Sequence, residues 1–301
     1  LREGVASVPR IDAILRDAAG FRMGPFELMD LTGLDVSHPV MESVYGQYYQ
    51  DPRYRPSVIA AQRMAAGLLG RKTGRGFYAY DGDRQILPEE KPAPDRAGAT
   101  PAAIIVLADT AAHEMRLLLE AAGHRVSTDP ADADTDRALV LVGLVGEDLT
   151  GAVERLKLPA AACVGFDAIF GLDKHITLVS CPATSHDARD AALSVVAGAG
   201  RKATMIEDSC GTVCQRVVAM IVNIGCEIVE QAMATPSDVN AAVRLGLGYP
   251  HGPLEWGDRL GAGRILKILD IIHDRTRDPR YRASLWLRRR AELGLPLDAE
   301  L

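Results

Sequence analysis

Aromatic residues make up only 5% of this chain, and its five cysteines, at 163, 181, 210, 214 and 226, include no C-x-x-C pair. An odd set of thiols without that pairing argues against a disulfide framework and fits free thiols in a reducing cytoplasm. Cys210 and Cys214 lie one helical turn apart, but no histidine stands near them in sequence to complete a zinc set, so ordinary buried thiols and no metal are expected. Long apolar runs are missing too: none approaches the roughly eighteen residues a membrane helix needs, and no signal peptide opens the chain. Nor is there a surplus of positive charge. With 34 Lys and Arg against 40 Asp and Glu, the formal charge of −6 argues against a nucleic-acid binder, whose affinity is built on clustered cations. A cytoplasmic protein with no nucleic-acid or membrane partner is the expectation. Two basic knots remain, Arg71, Lys72 and Arg75, and the run Arg288, Arg289, Arg290. Each reads as solvated surface or, alternatively, as a grip for CoA or another phosphorylated small molecule.

What the chain does have is a repeat. The pentapeptide DPRYR occurs at Asp51 to Arg55 and again at Asp278 to Arg282, 227 positions on. A shift of 228 lays residues 1–30 on 229–258, matching Arg16 with Arg244, Gly20 with Gly248, and Gly24, Pro25, Glu27 and Asp30 with Gly252, Pro253, Glu255 and Asp258. One residue must be inserted in the first copy between Asp30 and Asp51 for the pentapeptides to align. The match implies an internal duplication.

Length and texture divide the chain further. The 301 residues suggest two or three domains. Residues 1–85 read as helical, with Ile11, Ile14, Leu15 and Ala18 at helical spacing before a stop at Gly20. The polar, proline-rich stretch from 81 to 101 reads as exposed, with 86–101 as the linker proper. From 102 to 208 apolar runs such as AIIVL and ALVLVGLV alternate with amphipathic stretches, the pattern of a parallel sheet with helical crossovers. Residues 209–301 return to helical spacing. Since the chain starts on Leu1 inside a helical pattern, the natural protein is expected to extend upstream.

The strings GFRMGPFELMDLTGLDV and GRKTGRGFYAYDG, with GLGYPHGPLEWGD in the second copy, resemble the C-terminal helical domain of the 3-hydroxyacyl-CoA dehydrogenase family. Members of that family pair an NAD-binding Rossmann domain with such a helical domain. The resemblance implies a fold of the α/β plus all-α class: one Rossmann-like parallel-sheet domain flanked by two homologous helical domains of the 6-phosphogluconate-dehydrogenase C-terminal type. It further implies an NAD-dependent oxidation of 3-hydroxyacyl-CoA to 3-ketoacyl-CoA in acyl-CoA degradation, of fatty or aromatic acids. The first module's NAD domain would lie upstream of Leu1.

Position by position, the resemblance implies a degenerate second module. Abstraction of the substrate's hydroxyl proton needs a base of near-neutral pKa, which a family histidine supplies, with a glutamate orienting it and an asparagine contacting substrate. Here Asp167 in GFDAIFG stands at the histidine position, Ser180 in TLVS at the glutamate position and Gln215 in CGTVCQR at the asparagine position. His175 lies off the motif and reads as a strand-end or surface residue. The dinucleotide turn needs G-x-G-x-x-G so that the pyrophosphate can reach backbone amides. LADTAAHEM has no glycine there, and Asp109 or Thr110 is expected to cap the helix instead. Asp129 sits about where a ribose-binding acid would be, though it reads as a turn residue before Pro130. No cofactor is expected on this chain, and inactivity of the fragment alone follows.

GPFELMD and GPLEWGD read as tight turns into a helix, with proline in the first turn and an acid complementing the dipole. KTGRGFYAY reads as a glycine turn with docking aromatics, in which Lys72 is the residue to test for a CoA phosphate contact. Residues 1–80 are expected to pack on 210–301 as an intramolecular pseudo-dimer, since a two-fold interface uses one patch twice; a homodimer is a further option. The alternative reading is a non-catalytic scaffold that docks a partner enzyme.

Overall fold

In the computed structural model, residues 1–88, 101–107, 111–129, 131, 132 and 138–299 are described. Helix α1 (Val8–Ala19) buries Ile11, Ile14 and Leu15 and ends at Gly20, whose φ of +79° is the left-handed turn glycine adopts without penalty. α2 (Pro25–Thr32), α3 (Leu34–Gln47), a 3-10 turn at Pro52–Tyr54 and α4 (Val58–Ala65) follow. A hairpin of β1 (Ala79–Asp81) and β2 (Arg84–Ile86) comes next, so the polar stretch from 81, exposed over 81–88 as expected apart from half-buried Gln85, begins as a strand pair and not as linker. The physical reason is a two-residue Gly82-Asp83 turn, with Gly82 at φ +58°, which folds Arg84 back onto Asp81.

The central sheet has the order β4-β3-β5-β6-β7-β8. Its strands are β3 (Ala103–Leu107), β4 (Val126–Ser127), β5 (Ala138–Leu144), β6 (Cys163–Asp167), β7 (His175–Ser180) and β8 (Lys202–Glu207), joined in part by α5 (Ala112–Ala121), α6 (Leu149–Leu156) and α7 (His186–Gly198). Pairing is parallel except between β6 and β7, where Gly165 faces Val179 in antiparallel register. The sheet is therefore mixed, not wholly parallel. The link 168–174 holds no helix and falls short of the dozen or so residues a parallel crossover takes. Period-two alternation divides the strands between two cores. Ile105, Val140, Val142 and Val179 face the helical segments, whereas Ile104, Leu139, Leu141 and Leu178 lie under α5 and α7.

The second helical segment runs through α8 (Cys214–Glu230), α9 (Pro236–Leu247), α10 (Pro253–Leu260), α11 (Ala262–Thr276), a 3-10 turn at Pro279–Tyr281 and α12 (Leu285–Leu293). Its bonds repeat those of the first. The Asp12 carboxylate accepts from the Phe26 and Glu27 amides at the start of α2, and the Asn240 carboxamide oxygen accepts from the Leu254 and Glu255 amides at the start of α10. The Gly24 and Gly252 amides donate to Glu27 and Glu255, which pair in turn with Arg16 and Arg244. Asp30 takes the Phe77 and Tyr78 amides and the Tyr80 hydroxyl, while Asp258 takes the Leu297 and Asp298 amides. A side chain at Gly76 would collide with the Asp30 carboxylate, which explains the glycine there. The one-residue insertion is located as well: the first copy leaves its third helix through two left-handed residues, Tyr49 and Gln50, and the second through Arg277 alone.

The two segments touch reciprocally. Gly20 lies against Pro250 and Gly248 against Arg22, each the counterpart of the other pair, and the counterpart rings of Phe21 and Tyr249 meet edge-on at 4.9 Å. The two DPRYR turns also meet. Arg53, with its side chain buried, pairs with Glu227 of α8 and donates to the Arg282 carbonyl.

Candidate functional site

The carboxyl ends of parallel strands are where α/β sheets place their chemistry. Asp167 ends β6, Gln215 lies in the first turn of α8, and both are fully buried. Asp167 Oδ1 accepts from the Ile169 amide at 2.9 Å, the Phe170 amide at 3.0 Å and Gln215 Nε2 at 2.8 Å, while Oδ2 accepts from the Thr212 hydroxyl. Gln215 completes the set by donating to the Leu144 carbonyl and accepting from the Gly146 amide, each at 2.8 Å. Burial pushes the Asp167 carboxyl up from its ordinary value, and the bonds from Gln215, Thr212 and the two amides oppose that. A general base must turn a free lone pair toward the proton it takes. Here four donors crowd one sealed carboxylate, so the cluster staples the end of β6 to α8.

Ser180 is not part of this cluster. Buried at the end of β7, its hydroxyl donates to the Ile206 carbonyl at 3.3 Å, toward β8. Two of the three family positions thus come together and the third faces elsewhere. His175 is indeed at a strand end but is not a surface residue. It is 4% exposed, with Nδ1 at 3.0 Å from Asp17 of α1 and Nε2 at 2.7 Å from the Thr204 hydroxyl. Burial alone would raise the Asp17 carboxyl, but His175 and Lys202 together hold it below its usual value. This clamp fastens α1 to the sheet.

At the nucleotide end of the sheet, Asp109 and Thr110 lie outside the described residues. The capping position of α5 is occupied by Ala111, with no side-chain cap, and Glu114 brings a negative charge into the first turn. Asp129 is exposed, and its carboxylate accepts from the Ala131 amide at 2.9 Å, as a turn residue does. Glycines that would let a pyrophosphate approach are absent from Leu107 to Ala122. These residues do not fit a dinucleotide. Lys72 is exposed and ion-paired with Asp35, whose carboxyl that bond draws down.

Among the described residues no group of three or more His, Cys, Asp or Glu side chains is arranged to hold a metal ion, and no helix is long and apolar enough to cross a membrane. The cysteines are buried and unlinked; burial, reinforced by Asp148, pushes the Cys210 thiol up to about 12. A groove of about 800 Å³ runs beside the site, bordered by Asp17, Phe170, Lys174, His251, Trp256 and Arg259, and does not reach Asp167. Sequence reasoning missed Thr212, though it lies inside CGTVCQR, and the Asp17–His175–Thr204 clamp, for which no local signal exists. It also missed Asp208, which accepts from the Leu149 and Thr150 amides at the start of α6.

Comparison with known proteins adds the following. The profile described as 3-hydroxyacyl-CoA dehydrogenase, C-terminal domain, matches residues 1–80 and again 211–298. The chain is 32% identical over 298 residues to a 3-hydroxyadipyl-CoA dehydrogenase of Escherichia coli K12, covering 97% of this chain and 56% of that protein. A 3-hydroxybutyryl-CoA dehydrogenase of Bradyrhizobium diazoefficiens is 42% identical over 86 residues, 29% of each chain. The crystal structure of a 3-hydroxybutyryl-CoA dehydrogenase from E. coli K12 superposes with a TM-score of 0.77 at 31% identity, over 97% of this chain and 56% of that one. The chain therefore spans little more than half the length of the first of these relatives and about three tenths of the second.

Proposed function

The chain belongs to the 3-hydroxyacyl-CoA dehydrogenase family, and from that premise we propose that it is the substrate-side and pairing part of an NAD-dependent oxidoreductase that converts 3-hydroxyacyl-CoA to 3-ketoacyl-CoA in the cytoplasm. In this reading residues 102–208 are a Rossmann-like module that has become structural, flanked by two homologous helical domains. The single observation that carries it is the sealed Asp167–Thr212–Gln215 cluster: the positions where proton transfer would occur are committed to holding β6 on α8. NAD, when bound to a competent family domain, supplies the hydride acceptor, and no such step is assigned to the residues here. The reciprocal contacts of Gly20 with Pro250 and Gly248 with Arg22 support an intramolecular pseudo-dimer of 1–80 with 210–301. Lys72 remains the residue to test for a CoA phosphate.

Calorimetry of this chain with NADH and with acetoacetyl-CoA tests the reading. No NADH binding up to millimolar concentration is expected, and micromolar NADH binding would overturn the structural role of residues 102–208. A scaffold that docks a partner enzyme is the second reading. It gains if neither ligand binds this chain and Lys72→Ala leaves turnover of the assembled dehydrogenase unchanged.

A further inference from the structure

The duplication lets one cavity be compared with the same place when it is filled. In the first segment, residues 69–73 and the Tyr80 ring lie over the junction of α2 and α3. The Leu34 amide donates to the Leu69 carbonyl at 3.0 Å, the Lys72 ammonium pairs with Asp35, and the Tyr80 hydroxyl donates to Asp30 at 3.0 Å. A side chain at Gly33 would collide with Lys72, and Leu34 is 0% exposed beneath this cover.

The matching junction of α10 and α11 has no such cover among the described residues. The left-handed glycine returns as Gly261, at φ +91° against +85° for Gly33, yet a side chain there or at Gly263 would meet nothing within 4 Å. Leu34 and Asp35 are replaced by the smaller Ala262 and Gly263. The chain that could have crossed the gap turns inward instead: Leu297, counterpart of Gly70, is fully buried against Gly257. A cavity of about 410 Å³ is left, bordered by Asp258, Gly263, Arg290, Gly294, Leu295 and Asp298.

The polar groups that hold the cover in the first copy are kept in the second. Asp258 stands where Asp30 does. Besides the Leu297 and Asp298 amides it faces the Asp298 carboxyl, so an acid meets an acid where the first copy has a phenol donor. Burial and that neighbour raise the Asp258 carboxyl from its ordinary value. The Ala262 amide, counterpart of the Leu34 amide, has no backbone partner among the described residues. The DPRYR register pairs Arg290 with Arg63. Arg290 is 6% exposed; its guanidinium lies over the Trp286 ring, 3.2 Å from the centre, and donates to the Ala299 carbonyl at 3.3 Å. A guanidinium has five N–H donors, so some remain for an oxygen in the cavity.

We propose that this cavity binds a small hydroxylated aromatic carboxylate. The hydroxyl donates to Asp258 as the Tyr80 hydroxyl does to Asp30, and it separates the two carboxyls. The carboxylate accepts from the Ala262 amide, as the Leu69 carbonyl accepts from the Leu34 amide, and from Arg290. The ring takes the place of the Tyr80 ring. Such a cavity is within the size range of small-molecule sites, and a flat ring gives up little freedom on binding. The site requires neither NAD nor acyl-CoA chemistry, so it stands or falls apart from the functional assignment above.

Calorimetry with 4-hydroxybenzoate reads the site, and benzoate and phenol each remove one anchor. Saturable binding of 4-hydroxybenzoate is expected, with the other two weaker by roughly tenfold or more. Ala262→Leu and Gly263→Asp place the first copy's own residues on the cavity floor, the first filling it and the second repelling a carboxylate. An acid in the first turn of α11 suits the helix dipole, so the fold is kept. Each variant should bind 4-hydroxybenzoate roughly tenfold more weakly at an unchanged melting temperature; if one melts early, the other carries the test. No saturation at millimolar 4-hydroxybenzoate, equal binding of benzoate or phenol, or full affinity in the folded variants would each overturn the proposal.

Discussion

Ile14 and Ala242 hold the same place in the two helical segments, yet the first is sealed in the core and the second is open to solvent. Asp12 and Asn240 also hold the same place, and both cap the following helix through the same pair of amides. The contrast separates two kinds of determinant. Bonds closed within a segment are satisfied wherever the segment sits, so both copies show them. Apolar faces follow whatever packs on them, and these are where the copies diverge.

The largest test of that contrast is Asp167→Ala, at the staple that joins sheet to helix only in the second half. It leaves Thr212, Gln215 and two amides without their acceptor, and a loss of about 3–5 kcal/mol is expected in urea unfolding. A loss under about 1 kcal/mol would mean that the cluster does not hold β6 on α8. Arg53→Ala should cost about 2–4 kcal/mol because Glu227 and a carbonyl lose a buried cation, whereas Arg280→Ala, at a partly exposed local pair, should cost less than about 1 kcal/mol. Equal costs would erase the difference between the copies at the seam.

Next come the caps. Asp12→Ala and Asn240→Ala are each expected to cost about 1–2 kcal/mol in thermal unfolding, with Asp12 the larger because it also accepts the Tyr78 hydroxyl. pH gives a further handle. Burial raises the folded Asp167 carboxyl above its ordinary value of 3.8, so the native state holds the proton more tightly than the unfolded chain. Its contribution is therefore most favourable at low pH and declines as pH rises from about 3.8 through the folded value. Asp167→Asn should flatten that decline in stability measured across the acid range; an unaltered slope would contradict the assignment. The smallest effect is expected at Leu245→Ala, within about 0.5 kcal/mol, since an exposed side chain loses no burial.

Much of this architecture was legible in residues alone. Ile11, Ile14 and Leu15 at helical spacing and the stop at Gly20 gave α1, and alternating apolar runs gave the strands of the sheet. The antiparallel β6–β7 pairing was not legible, because direction depends on how far a short link can reach, which no strand's own pattern encodes. At the site, the family motif brought Asp167 and Gln215 to one place. That all of Asp167's donors converge, and that Ser180 turns away, depends on the packing of α8 across strand ends far apart in sequence. His175 shows the same limit: its partners Asp17 and Thr204 lie 158 and 29 positions away.

The sulfur of Cys214 donates to the carbonyl of Ile14 across 200 residues of sequence. On a ribosome adding about 5–20 residues each second, roughly 10–40 seconds separate the emergence of the two partners. Until β7 and α8 are made, α1 lacks the strand and the helix it packs on, and the Arg53 turn waits for Glu227. The first segment, complete in its own caps and turns, must wait with its apolar side bare, and the period of greatest exposure to chaperones and to aggregation falls before the last helices are made.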